Sequence, residues 1–123
     1  MRVLALLLLC ACGGDERARC ERCGMFVDTD ARWSVAAAGA GYDSPKCALR
    51  ARGADADLGF VAYYSGDVRP GAELRFVVDS DLRGPMGADL VPVEPEQVEH
   101  FIEDHGGRAI EFAAIDASVL EGL

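Results

Sequence analysis

Asp43-Ser44-Pro45-Lys46-Cys47-Ala48-Leu49-Arg50-Ala51-Arg52-Gly53 is the stretch from which the fold can be read. Ser44 suits an N-cap, because its side-chain oxygen can accept a backbone N–H of the first turn. Pro45 suits the first helical position, where its missing N–H costs nothing and its fixed φ is already helical. Gly53 is the residue favoured just past a helix C-terminus. The spacing predicts a helix from Pro45 to about Arg52. A second helix opens at Pro95: Val98, Phe101 and Ile102 fall on one face, while Glu96, Glu99 and Glu103 stay outward. Gly106 and Gly107 close it, and His105 sits in its last turn, where the helix dipole favours a partly protonated imidazole.

Outward from these helices the hydrophobic period changes to two. Leu74, Phe76 and Val78 alternate with Arg75 and Val77, and Ile110 and Phe112 flank Glu111, so both segments read as strands with one buried face. Phe60 to Tyr64, Arg32 to Ala37 and Ala88 to Val93 are further β-prone runs, the last marked as an edge by Pro92. In chain order this gives two strands, a helix and a strand, then the same again. The fold class is α+β: two small ββαβ units packed together, spanning about 20–66 and 71–118, with a junction near Ser65 to Gly71.

The N-terminal residues read as a processing signal rather than as part of this fold. Arg2 is a short basic start, Val3 to Leu9 an apolar run, and Ala11 a small residue directly before a cysteine. The run is far shorter than the ~20 apolar residues of a spanning helix, and no later stretch comes near that length. Cys12 is a better lipidation site than Cys10, which directly follows a run of leucines. Residues 1–11 are thus expected to be a lipoprotein signal peptide, 12–19 a lipidated, flexible polar tether, and 20–123 the folded domain. A cleaved secretory signal with an ordinary thiol at Cys12 is the alternative.

Loss of residues 1–11 leaves roughly 110, one domain's worth. The formal net charge of −9 becomes one unit more negative, since Arg2 is the only charged residue removed, and the remainder has no basic cluster. Nucleic acid and anionic lipid headgroups are therefore poor partners. Cys20, Cys23 and Cys47 then remain, and an odd number of thiols in an oxidising compartment cannot be wholly a disulfide framework.

Sulfur is densest at Cys20-Glu21-Arg22-Cys23-Gly24-Met25. Two thiolates two residues apart can bind one ion when a turn brings both to one side, and Gly24 lets the backbone turn sharply there. Met25 adds a thioether. Four chemistries compete. A thioredoxin-like redox pair would need a preceding strand and a helix beginning at the first cysteine. A disulfide between Cys20 and Cys23, or from either to Cys47, would be an ordinary staple for a small envelope domain. Structural zinc could take the three cysteines and one histidine, although His100 and His105 have helical explanations. Cu(I) prefers soft thiolate and thioether ligands at low coordination number.

Cys47 is the third residue of the first helix, where backbone N–H groups and the dipole favour a thiolate. It is either a ligand or a small buried hydrophobe. Met86, in Arg83-Gly84-Pro85-Met86-Gly87-Ala88, lies among turn formers rather than on a helical stripe, which suits an exposed functional thioether as well as a loop cap over the core. Hydrolytic chemistry has no support: Ser44 is accounted for as a cap, and the carboxylates are scattered.

Four segments together resemble the NosL family of envelope copper lipoproteins, accessory to assembly of the copper centres of nitrous-oxide reductase. They are Cys20-Glu21-Arg22-Cys23-Gly24-Met25, Tyr42-Asp43-Ser44-Pro45-Lys46-Cys47, Val77-Val78-Asp79-Ser80 leading to Gly84-Pro85-Met86-Gly87-Ala88, and His105-Gly106-Gly107. The resemblance spans most of the mature chain. It implies a paired ββαβ fold and no enzymatic activity, with Cu(I) bound by Cys20, Cys23, Met25 and Met86, and Cys47 as a further candidate. It also implies a lipid-anchored protein facing the periplasm, at the outer membrane, that passes copper to nitrous-oxide reductase or its membrane transporter complex. Glu21 departs from the histidine that often follows the first cysteine in denitrifier members, which leaves open delivery to another periplasmic cuproprotein. A thiol oxidoreductase using Cys20 and Cys23 is the enzymatic alternative.

Overall fold

The structure, a computed structural model, describes residues 17–123. The signal and Cys12 lie outside the described residues. The predicted first helix, α1, runs from Pro45 to Arg52. Ser44 accepts the N–H of Cys47 at its start, and the Gly53 N–H closes on the Leu49 carbonyl at its end. Strands β1 (Val35–Ala37) and β2 (Ala40–Tyr42) precede it, and β3 (Gly59–Val61) and β4 (Val68–Pro70) follow. All pairings are antiparallel, in the order β2-β1-β3-β4.

The second unit repeats that plan. Strands β5 (Arg75–Val78) and β6 (Val91–Val93) lead into a short 3-10 turn at Pro95–Gln97, then α2 (Val98–His105) and β7 (Arg108–Glu111). Their sheet order is β6-β5-β7, which superposes in topology on β2-β1-β3. The paired ββαβ architecture expected from the element order is therefore present, with two additions. β4 falls inside the predicted junction, and a short helix α3 (Ala117–Glu121), capped by Asp116, follows β7.

Several strand limits differ from expectation. Ala31–Trp33 is a 3-10 turn, so the strand expected from Arg32 starts at Val35, and the run expected to Tyr64 ends at Val61. Pro92 is on an edge strand as predicted. Its carbonyl accepts the Tyr63 N–H at 2.9 Å, so its missing donor falls on the side facing away from β5 and no ladder bond is lost. The larger correction concerns Val77. It is fully buried, packing with Trp33, Val91, Val93 and Phe101 on the second face of the β5 sheet. That sheet has two buried faces because α2 and the Trp33 turn cover the side that alternation assigned to solvent.

On the other face Phe60, Phe76 and Phe112 form a three-ring contact, with Phe60 edge-on to Phe76 at 4.9 Å and to Phe112 at 5.7 Å. Phe60 belongs to the first unit and the other two to the second, so the units share one core. Cys20 and Cys47 belong to that core, with Cys23 packed against it.

Candidate metal centre

Three backbone segments bring the sulfurs together. Residues 19–26 form a tight hairpin: Arg19 and Phe26 bridge, the Cys20 N–H reaches the Met25 carbonyl at 2.7 Å, and the Gly24 N–H reaches the Cys20 carbonyl at 3.0 Å. Gly24 has φ +78, a left-handed conformation that a side chain would resist. The Glu21 N–H bonds to the Gly41 carbonyl, seating the hairpin tip on β2. β2 then delivers Tyr42, Asp43 and the start of α1, whose first turn carries Cys47.

The result is a four-member cluster. One ligand atom each from Cys20, Cys23, Asp43 and Cys47 lies within 4.8 Å of the others. Cys20, Asp43 and Cys47 are buried and Cys23 is half-buried, which leaves it the accessible member. All three cysteines are free thiols. Asp43 is fully buried, and neither of its carboxylate oxygens has a hydrogen-bond partner. A buried carboxylate in that condition is costly, and its natural remedy is a cation.

Electrostatics here run against the expectation for Cys47. Burial, reinforced by the adjacent Asp43 carboxylate, pushes its thiol up to about 12, and the Ser44 contact opposes this only in part. The helix terminus does not win, because desolvation and a carboxylate outweigh a partial positive charge. Burial likewise raises the Cys23 thiol, against the lowering effect of the Met25 backbone, with Cys20 and Asp43 adding to the rise. A positive ion in the pocket would oppose the rises at Cys23 and Cys47.

The other expected ligands are placed as follows. Met25 is half-buried, and its carbonyl closes the hairpin. Met86 is 47% exposed at the tip of a second tight turn, in which Gly84 and Gly87 exchange backbone hydrogen bonds of 2.8 and 3.1 Å. This turn is clamped to α1 directly beside Cys47. Buried Lys46 donates its Nζ to the Met86 carbonyl at 3.0 Å and the Ala88 carbonyl at 2.6 Å, while its backbone N–H reaches Asp89 Oδ1 at 2.8 Å.

Neither histidine belongs to the cluster. His105 lies in the last turn of α2, as read from sequence, and bonds through Nδ1 to Asp81 at 2.8 Å and through Nε2 to the Tyr63 hydroxyl at 3.3 Å. His100 lies 3.4 Å from Asp104 and tilts against the Tyr64 ring. Asp43 is the member that sequence reasoning missed. Its only signal was a carboxylate placed directly before an N-cap serine and four residues ahead of a cysteine.

Comparison with known proteins bears on the fold and the family. Among the solved structures, the chain is similar to the crystal structure of the copper chaperone NosL from Shewanella denitrificans, with a TM-score of 0.63 at 18% identity, over 85% of this chain and 93% of that one. At that identity the likeness establishes the fold. No curated protein matches. The NosL family model matches residues 58–120, about half of the sequence, and the chain belongs to the NosL family.

Proposed function

We propose that this protein is a non-enzymatic carrier that binds Cu(I) at Cys20, Cys23 and Cys47 and hands it to a periplasmic acceptor. The observation that carries the reading is the convergence of three free thiols, from a hairpin and a helix start more than twenty residues apart, on one small pocket. Polarisable sulfur at low coordination number suits Cu(I) better than other biological cations. A solved protein of the same fold is described as a copper chaperone, which points the same way.

Met25 and Met86 complete the proposed path. An exposed thioether on a turn fastened beside Cys47 is suited to meet an incoming or departing ion, and half-buried Met25 follows the accessible Cys23 by two residues. Lipidation at Cys12 would hold the pocket a short tether from the membrane, with the protein facing the periplasm at the outer membrane. Nitrous-oxide reductase, or the membrane complex that serves it, is the acceptor proposed. A thiol oxidoreductase is disfavoured by the raised Cys23 and Cys47 thiols, because attack on a disulfide needs a thiolate. The Cys20–Cys23 pair also lies on a hairpin turn rather than at a helix start.

Anaerobic titration of the reduced protein with Cu(I), in competition with a chromophoric Cu(I) chelator, tests this. One equivalent should bind with thiolate-to-copper charge-transfer absorption, and Cys47→Ala should lower affinity at least about tenfold while remaining folded. Unchanged affinity on removing Cys20, Cys23 and Cys47 together would refute the proposal.

A further inference from the structure

At two places in the described residues an arginine sits on an aromatic ring and pairs with a carboxylate beside it. Arg17 lies over the Phe26 ring at 3.9 Å and reaches Asp28 at 2.7 Å. Arg52 lies over the Tyr42 ring at 5.8 Å, donates to its hydroxyl at 2.9 Å and is 3.7 Å from Asp55. A planar guanidinium suits such a site, because it stacks on the ring and hydrogen-bonds the carboxylate at once.

The same combination recurs at Tyr64 without the cation. Tyr64 is 40% exposed. Its ring meets Tyr63 at 87°, centroids 4.9 Å apart, and tilts against His100 at 5.8 Å; His100 in turn is 3.4 Å from Asp104. Buried Glu94 accepts the Tyr64 N–H at 3.1 Å. The ring is therefore fixed before anything binds, and an exposed, pre-placed tyrosine is the kind of side chain on which binding energy concentrates. Among the described residues no arginine or lysine lies over it; Arg32 is over the neighbouring Tyr63 ring, at 5.9 Å.

The charge around this ring also lacks a counterpart. Between Arg83 and Arg108 the chain has six Asp and Glu and no Lys or Arg, whereas the stretch from Arg17 to Arg52 holds seven of the twelve basic residues. Asp89 and Glu94 are buried, but Glu96, Glu99, Glu103 and Asp104 are exposed along the 3-10 turn and α2. Glu99 and Glu103 are one turn apart and repel, and Glu103 and Asp104 stand in the last turn of α2, where the helix dipole disfavours negative charge. Of these four carboxylates, only Asp104 has an ion-pairing partner among the described residues, His100. Each arrangement works against the isolated helix, and a cation from outside offsets all of them.

We propose that the exposed face of α2 and the adjoining Tyr63-Tyr64 turn form a docking surface for an arginine-bearing segment of a partner protein, with a guanidinium on the Tyr64 ring and paired with Asp104. Glu96, Glu99 and Glu103 attract the basic segment and set its salt dependence. None of these residues belongs to the thiol pocket or the Met86 turn, so this surface stands apart from the Cu(I) reading.

The test titrates the isotopically labelled full-length protein at low salt with capped tri-arginine, tri-lysine and tri-citrulline peptides, followed by heteronuclear NMR. Tri-arginine should shift the amide resonances of Tyr64, His100 and Asp104. Tri-lysine should bind at least about threefold more weakly, and tri-citrulline, which keeps the shape without the charge, should not bind. Tyr64→Leu and Asp104→Asn should each weaken tri-arginine at least about threefold, and the double variant at least about tenfold. Unchanged Cu(I) affinity and circular dichroism serve as controls for folding. No binding, shifts confined to other residues, lysine binding as tightly as arginine, or folded variants with undiminished affinity would each overturn the inference. The resonance mapping uses the unsubstituted protein, so the inference remains open to refutation even where a variant fails to fold.

Discussion

Asp89 accepts the N–H groups of Lys46 and Leu90 on one oxygen, 2.8 Å from each, while its other oxygen is buried without a partner. Burial, against the lowering effect of those two N–H groups, pushes its carboxyl up from 3.8 to about 6. Between those values the folded protein keeps a proton that the unfolded chain has released. The favourable contribution is therefore complete below pH 3.8 and lost as pH rises through about 6. By neutral pH the ionised group weighs against the fold by on the order of 3 kcal/mol. Asp89→Asn keeps the acceptor oxygen and removes the titration. Urea unfolding at pH 4 and pH 7 should show the stability of the variant, relative to the parent, rising by about 1–3 kcal/mol between the two; a pH-independent difference would contradict this. Met86 is the opposite case, since its side chain is largely outside the core. Met86→Leu conserves volume and should change stability by less than about 0.5 kcal/mol in the same assay, while weakening Cu(I) binding in the competition titration. At this scale Cys20, Cys23 and Cys47 were legible because their chemistry is rare and their count odd. Asp43 was not, because only the fold reveals that an ordinary polar residue before a helix cap is sealed from water.

Two of the family segments prove to be one joint between elements. Gly107, with φ +93, lies so close to β5 that an added Cβ would be 2.4 Å from the Val78 carbonyl oxygen. Asp81 meanwhile pairs with His105 through both backbone and imidazole. Gly107→Ala should therefore cost roughly 2–4 kcal/mol, from backbone strain and overpacking together, measured by denaturant unfolding. A second joint is the Lys46 clamp, which fixes the Met86 turn to the first turn of α1. Lys46→Met keeps most of the buried stem but leaves two carbonyls short of a donor, a loss of about 1–3 kcal/mol. It should also free the turn, so that Met86→Leu has a smaller effect on Cu(I) affinity in that background than alone; equal effects would separate the clamp from the thioether. α1 was legible to the residue because its caps are local chemistry, whereas α2 starts at Val98 rather than at Pro95, after a 3-10 turn and without a side-chain cap. β4 and α3 were not legible. Val68-Arg69-Pro70 has an exposed valine and a terminal proline, and becomes a strand only because β3 offers it an edge. α3 has five residues, too few for a period to show.

The described residues form two copies of one plan that share a hydrophobic core, and Cys20 and Cys47 of the thiol pocket belong to that core. Phe60 is the keystone, fully buried and in contact with two rings of the other unit. Phe60→Ala should cost about 3–5 kcal/mol. Because the core is common to both units, near-UV and far-UV circular dichroism should still report one coincident unfolding transition; two separate transitions would mean that the units are independently stable. The repeat was legible from the order of elements, whereas the second buried face at Val77 was not, since alternation cannot tell solvent from a covering helix. Copper-edge X-ray absorption of the one-equivalent Cu(I) complex tests the central claim most directly, because it counts the atoms around the ion. The account predicts a first shell of sulfur alone that loses a scatterer in Cys47→Ala. A shell dominated by nitrogen or oxygen, or one indifferent to Cys47, would contradict it.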